Sequence, residues 1–381
     1  MRFETSVKEL MRAGTLVKMA VAKRTQLPIL THLLIQATDG GVRLTGNDLA
    51  IEMTATLLAS ETMTISAPGA CCVPGASLLE LLGMFPGAER VTATQADDDP
   101  TYLWLTCGTA KYGLHTLPAA EFPAWTNFRA ETAELSIEGS HWLELVRRAG
   151  YCASDEESRV ILTGMLLTGS AEGLAAASTD THRLSVLRLA TPAPSIVAIL
   201  PTPLLESLGK IIVPDAPLTL TFGTLGDAPA VRAVAGTATV LARLIAGQFP
   251  AYERVMPVNA PLRGQVNRMA LLTALKRLAI IARVTDHKIR FDADIFGTLT
   301  LTAGNEVGGA REEVELTDST SSRQAVSTAW ETAFDARYLI EALAVSNAET
   351  VTLAQATDLQ PLLLTDGDER WASVIMPMQR L

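Results

Sequence analysis

Thr116-Leu117-Pro118-Ala119-Ala120-Glu121-Phe122-Pro123 and Gly247-Gln248-Phe249-Pro250-Ala251-Tyr252 carry the same Phe-Pro pair at equivalent places in two stretches of similar texture. Phe122 and Phe249 lie about 127 positions apart, one third of a chain of 381 residues. A period of that length is a normal domain size and points to an internal repeat. The sequence around the pair repeats as well. Arg2 to Thr5 reads as extended, and Ser6 with Glu9 three residues on is a capping box that predicts a helix start. Val7, Leu10, Met11 and Val17 then recur at helical spacing. Glu134 to Ile137 is again extended, and Ser140 opens a helix with Leu143, Val146 and Arg147 on successive turns. Gly264 to Val266 precedes a third such helix, with Met269, Leu272, Leu275 and Leu278.

Each third also holds a second helix followed by a β run. The helices are Gly75–Leu82, Pro203–Leu208 and Ala336–Leu343; the runs are Arg90–Thr94, Leu218–Phe222 and Thr350–Ala354. Between the two helices the pattern alternates as strands do, with turns such as Gly40-Gly41. The expected fold class is α+β: three repeated domains, 1–130, 131–253 and 254–381, each with two helices packed on antiparallel sheet. The Asp97-Asp98-Asp99 run reads as a solvated loop tip.

Composition narrows the function. Apolar residues make up 48% of the chain, which suits a globular protein, and no apolar run approaches the ~20 residues that span a bilayer. The N-terminal stretch lacks a signal-peptide core, so a cytoplasmic protein is expected. The net charge of −10 argues against a surface coated by nucleic acid, although a local basic stripe fits inside an acidic average. Cys71, Cys72, Cys107 and Cys152 have no metal-ligand spacing, and no metal ion or cofactor is expected. Asp180 and His182, inside Ser178-Thr179-Asp180-Thr181-His182-Arg183-Leu184, look like part of a catalytic relay. Yet the chain has no GxSxG elbow, no HExxH and no P-loop, so a hydrolase is the minor alternative.

The chain resembles the bacterial DNA polymerase III β subunits, the replicative sliding clamps. The resemblance rests on Leu27-Pro28-Ile29-Leu30, Leu44-Thr45-Gly46-Asn47-Asp48-Leu49, Thr116–Pro123, Thr179–Leu184, Phe249-Pro250-Ala251-Tyr252-Glu253-Arg254-Val255-Met256-Pro257 and Val374-Ile375-Met376-Pro377-Met378. These occur in order across essentially the whole chain. The resemblance implies a non-catalytic processivity factor. Two chains would join head to tail into a homodimeric ring around double-stranded DNA, with helices lining the hole.

Basic residues concentrate where that ring needs them. Lys8, Arg12, Lys18, Lys23 and Arg24 cluster on the first helix and its exit against Glu9. Arg268, Lys276, Arg277, Arg283, Lys288 and Arg290 do so on the third unit's first helix against Asp286. The middle unit offers Arg147 and Arg148, and the second helices add Lys210 and Arg337. The expected DNA-binding set is Lys8, Arg12, Arg24, Arg147, Arg148, Lys210, Arg268, Lys276 and Arg337. It would read phosphates and no sequence. Of these, Arg24 matches a DNA-contacting arginine of the family, and Glu156 stands where an uncharged residue is common.

The resemblance further implies a pocket for a short clamp-binding motif carried by the polymerase III α subunit, the clamp loader and other proteins. Carried over residue by residue, it would use Leu162, Thr179, Thr181, His182, Arg183, Leu184, Pro250, Arg254, Val255, Val374, Met376, Pro377 and Met378. Leu, Val, Met and Pro suit a Leu or Phe anchor, and Arg183 and Arg254 suit carbonyls or an acidic flank. Ring closure would use Lys111 and Tyr112 on one side and Ile280 and Ile281 on the other. Three positions depart from the family pattern: Thr181 for a glycine, Pro361 for a small polar residue, and Gln379 before Arg380-Leu381. These departures leave open an accessory or inhibitor-resistant clamp with the same fold.

Overall fold

The computed structural model describes residues 1–22, 24–60, 63–87, 89–96, 99–258, 260–283, 285–294, 296–304, 308–317 and 330–379. Lys23, Asp97, Asp98 and Arg380-Leu381, named above, lie outside the described residues.

The first third runs β1 (Arg2–Ser6), α1 (Val7–Val17), β2 (His32–Thr38), β3 (Gly41–Asn47), β4 (Ile51–Leu58), β5 (Thr64–Ala67), β6 (Gly69–Pro74), α2 (Gly75–Met84), β7 (Arg90–Thr94), β8 (Tyr102–Cys107), β9 (Ala110–His115) and β10 (Leu117–Pro118). The second runs β11 (Phe128–Glu138), α3 (Gly139–Ala149), β12 (Gly164–Ser170), β13 (Gly173–Thr179), β14 (Arg183–Leu189), β15 (Ile196–Pro201), α4 (Thr202–Ile211), β16 (Pro217–Leu225), β17 (Ala228–Ala235) and β18 (Ala238–Arg243). The third runs β19 (Leu262–Asn267), α5 (Arg268–Ala282), β20 (Lys288–Ala293), β21 (Thr298–Gly304), β22 (Gly309–Thr317), β23 (Trp330–Asp335), α6 (Ala336–Val345), β24 (Thr350–Ala354), β25 (Leu362–Thr365) and β26 (Trp371–Ile375). The second and third share one plan, a strand, a helix, four strands, a helix and three strands; the first adds β5 and β10.

Local chemistry explains the helix starts. The Ser6 hydroxyl accepts from the Glu9 amide at 3.1 Å and donates to the Glu9 carboxylate at 3.1 Å, which begins α1. Asn267 caps α5 by accepting from the Ala270 amide, and Asp335 caps α6 through the Arg337 amide. The Gly40-Gly41 turn joins β2 to β3. Gly41 has φ 142°, and a Cβ there would lie 2.2 Å from the Leu57 carbonyl, so only glycine fits.

One face of each helix is buried: Val7, Leu10, Ala13 and Val17 on α1, and Leu271, Leu275, Leu278 and Ala282 on α5. Each large side chain so buried stabilises by about 1.5–3 kcal/mol. The opposite faces expose Lys8, Arg12, Lys276 and Arg277.

The thirds are joined by strand pairing. The third strand after the first helix of one repeat pairs antiparallel with the last strand of the next. Thus β4 pairs with β18 (Met53 opposite Val240), and β14 pairs with β26 (Ser185 opposite Ser373). A nine-stranded sheet, β10-β6-β2-β3-β4-β18-β17-β16-β11, and a twelve-stranded one, β15-β12-β13-β14-β26-β25-β24-β19-β22-β21-β20-β23, result. A five-stranded sheet, β5-β1-β7-β8-β9, ends on β9. The middle repeat therefore gives one sheet to each neighbour. The chain divides into two compact units, Met1–Leu143 with Pro203–Ala246, and Glu144–Thr202 with Gly247–Leu381. Among the described residues, β9 has β8 on one side only, and β22 has β21 along its length and β19 only at Leu316 and Thr317.

Candidate functional site

In the second unit, four separate segments surround a cavity of about 270 Å³. Leu162 ends a short 3-10 segment (Glu157–Leu162), and Thr179, Thr181, Arg183 and Leu184 come from the β13–β14 turn. Pro250, Ala251, Tyr252 and Val255 come from the stretch after β18, and Val374 and Met376 from β26 and its exit. The β14–β26 ladder sets Leu184 beside Val374, and the Met376 amide donates to the His182 carbonyl at 2.8 Å. Leu162, Leu184 and Val374 are buried as floor, while Val255 and Met376 are exposed at the mouth.

Nine of the thirteen expected pocket residues line this cavity. His182, Arg254, Pro377 and Met378 stand outside its lining, and Ala251 and Tyr252 were not expected in it. Burial, with Glu253 nearby, raises the pKa of Tyr252, so its hydroxyl stays neutral.

The Asp180–His182 relay does not form. Asp180 Oδ1 accepts from the amides of His182 (2.9 Å) and Arg183 (3.0 Å), and Oδ2 accepts from Arg183 Nε at 2.9 Å. The carboxylate is spent on shaping the turn, and the His182 ring stacks on Tyr338 instead, 15° from parallel with centroids 6.2 Å apart. Arg183 is likewise committed. It bonds Asp180 and Glu341 and lies 4.7 Å over the Tyr338 ring, so it is not free for an acidic flank. Thr179 Oγ1 donates to the Arg183 carbonyl at 2.6 Å and accepts from the Thr181 amide at 3.2 Å. Together these bonds hold Thr181 at φ 79°, in the left-handed region, where a β-branched residue is strained by about 1–3 kcal/mol.

The basic residues divide into two groups. Lys8, Arg12, Arg24, Lys210 and Lys276 are exposed. Lys18 and Lys210 border one cleft of about 660 Å³ in the first unit, between the exit of α1 and α4. The other four are engaged. Arg148 is 5% exposed and bonds Asp366 and Asp368 at 2.7 Å each, with its guanidinium 4.8 Å over Trp371, so the expectation that it reaches phosphate does not fit its burial. Arg268 bonds the carbonyls of Ala348 (2.6 Å) and Leu343 (3.2 Å), where it satisfies the end of α6. Arg147 bonds the Val345 carbonyl, and Arg337 pairs with Asp335 at 2.7 Å. Arg148 is thus buried and Arg268 half-buried, whereas Arg147 and Arg337 stay exposed while they make these bonds.

At the expected closure residues, Tyr112 is 48% exposed on β9 with its ring tilted 48° to that of Phe85, and Lys111 Nζ lies 4.7 Å over the Trp104 ring. Ile280 is 62% exposed on α5, and Ile281 is half-buried beside it. All four cysteines are buried, and burial pushes the Cys71 and Cys72 thiols up to about 12, which leaves them unreactive. Among the described residues no helix is long and apolar enough to cross a membrane, and no three His, Cys, Asp or Glu side chains converge as a ligand set.

Comparison with known proteins matches this architecture throughout. Family models of the DNA polymerase III beta subunit match its N-terminal domain at residues 1–126, its central domain at 136–251 and its C-terminal domain at 253–379. The chain is 28% identical over 385 residues to a beta sliding clamp of Pseudomonas putida and 28% over 384 residues to that of Escherichia coli K12, covering 100% of each protein. The crystal structure of the DNA polymerase III subunit beta from Pseudomonas aeruginosa superposes with a TM-score of 0.89 at 26% identity, again over 100% of both chains. With all three domains matched in order and the threefold plan visible in its strands, the chain belongs to the DNA polymerase III beta subunit family, the beta sliding clamps.

Proposed function

We propose that this protein is a DNA sliding clamp: two copies close head to tail around duplex DNA and tether a polymerase to it. The observation that carries this reading is the strand-junction rule. Repeat one meets repeat two through β4 and β18, and repeat two meets repeat three through β14 and β26. The same rule applied once more asks β22 of repeat three to meet β9 of a repeat one. Among the described residues of one chain, β9 has a neighbouring strand on one side only, and β22 meets β19 only at Leu316 and Thr317, so most of its second side has no strand beside it. A second copy pairs both strands at once, and such a heterologous contact that closes after two chains makes a ring and not an open filament. Charge is compatible with the pairing: on β22 Glu312 pairs with Arg277 and Glu313 with Arg311, Glu315 adds a further acid, and β9 carries Lys111. Tyr112, Ile280 and Ile281 supply apolar contact at the same seam.

On this reading the domains are 1–130, 131–253 and 254–381, and exposed cations, Lys8, Arg12, Arg24, Lys210 and Lys276 among them, face the enclosed phosphates. Contacts to phosphate alone leave the ring free to slide. The clamp holds its partner by topology, which raises effective concentration without tight binding. The partner docks a short apolar motif in the cavity floored by Leu162, Leu184 and Val374, and the polymerase III α subunit and the clamp loader are the proposed carriers of that motif. Such work on DNA is done in the cytoplasm.

The test is oligomeric mass combined with crosslinking. Sedimentation should give twice the 40.6 kDa chain mass. Single cysteines placed along Ala110–His115 and Gly309–Thr317 should crosslink between chains in one antiparallel register. A monomer, or crosslinks of β9 to β9, refutes the head-to-tail ring.

A further inference from the structure

Thr181 is the residue of the cavity wall that its backbone suits least. It is β-branched, yet it sits at φ 79° and projects its hydroxyl at the mouth. That hydroxyl has a partner outside the lining, on the segment that ends in Leu162: Arg159 Nη1 donates to Thr181 Oγ1 at 3.0 Å. Arg159 is itself fixed from behind, its Nε 3.2 Å from Glu156 Oε2, with the Glu156 carboxylate also taking the Ser158 hydroxyl at 2.7 Å. Arg159 departs from helical geometry (φ −113°, ψ 57°) within its 3-10 segment. The segment that ends in Leu162 and the turn that carries Thr181 are thus tied side chain to side chain at one edge of the cavity.

We infer that Thr181 and Arg159 form a latch that sets which ligands the docking cavity admits. The inference rests on the docking role proposed above. A ligand that places only its apolar anchor on the floor leaves the latch intact. A ligand that lays backbone across the turn at Thr181 must displace the Thr181 hydroxyl from Arg159 or pass over the threonine methyl. The protein therefore selects short peptides read through their anchor residues and disfavours those read along an extended backbone at this edge. Arg183, the arginine within the lining, does not compensate, because Asp180 and Glu341 hold it.

The experiment compares two fluorescein-labelled probes by anisotropy: an acetylated Leu-Phe dipeptide and a pentapeptide that extends it by three residues at its N-terminus. The quantity read is the gain in affinity on extension. Thr181→Gly should increase that gain by about fivefold, the scale of one exposed charged hydrogen bond. Thr181→Ser keeps the hydroxyl and should behave as wild type. Arg159→Ala should match Thr181→Gly, and the double variant should add nothing to either, since both break one contact. Equal gains in wild type and Thr181→Gly, or additive effects in the double variant, overturn the latch. Failure of wild type to bind both probes, or binding indifferent to Leu162→Ala, overturns the docking role on which the latch rests. Thr181→Gly relieves backbone strain, so its fold is secure.

Discussion

Replacing Arg148 separates a structural arginine from a DNA-contacting one. Its guanidinium is buried between Asp366 Oδ2 and Asp368 Oδ2, 2.7 Å from each, and 3.4 Å from Glu144 Oε1. Asp366 is 4% exposed, and it also accepts from the Ser346 hydroxyl at 2.6 Å and the Asp368 amide at 3.3 Å. Arg148→Met keeps much of the apolar stem over Trp371 but strands the Asp366 carboxylate. Breaking a buried pair from one side costs about 3–5 kcal/mol, because the charge left behind has lost its compensation. Adding Asp366→Asn removes that charge, and the double variant should recover about half of the loss or more. Urea unfolding followed by tryptophan fluorescence measures both, since the Trp371 indole donates to the Arg148 carbonyl and reports the same region. The salt dependence of DNA retention by the folded variants should be unchanged. A loss of stability below about 1 kcal/mol, together with a salt slope reduced by about one, would make Arg148 a phosphate contact and refute the assignment.

The neighbouring Asp368 gives a pH prediction. Its hydrogen bond to Arg370 leads in holding its pKa down, to about 2 from the ordinary 3.8. A depressed folded pKa means stability present above the unfolded value and lost as pH falls. The urea midpoint should thus drop between about pH 4 and pH 2, and less so in Asp368→Asn. Lys276 is exposed, whereas Arg268 holds the carbonyls that end α6. Lys276→Gln should lower the salt slope of DNA retention by about one at constant stability, and Arg268→Gln should cost about 1–3 kcal/mol in urea unfolding. Ile280→Asp should yield a folded monomer in sedimentation, because its side chain is solvated in the single chain and desolvated only at the seam.

The threefold plan was legible because its signals are local. Ser6 and Glu9, the Gly40-Gly41 turn and the helical spacing of Val7, Leu10 and Val17 each act within a few residues, and the structure keeps them. The cavity floor was legible through the family pattern around Leu184 and Val374, strands paired across the sheet. What stayed hidden depends on partners far along the chain. Arg148 at the end of α3 reads like Arg147 beside it, and only Asp366 and Asp368, more than two hundred positions later, decide that one is buried. The basic types of Arg268 and Arg337 likewise said nothing about the carbonyls and the carboxylate that hold them. Arg159 belongs to an irregular 3-10 segment with no periodic signal. Its link to Thr181 follows from the left-handed turn that Asp180 and Thr179 impose, and the same turn accounts for the Asp180–His182 spacing that only resembles a relay. Composition cannot divide the middle repeat between its neighbours either. That division follows from strand edges, which pair by backbone regardless of side-chain type.

The most direct measurement of the central claim is retention on DNA of two topologies. Labelled protein loaded onto nicked circular plasmid is passed through a sizing column at salt high enough to strip proteins held by phosphate contacts alone. The plasmid is then cut once, and the passage is repeated. Encirclement predicts co-elution with the circle and release from the linear form at the same salt. Equal retention on both forms, or equal loss from both, would contradict it.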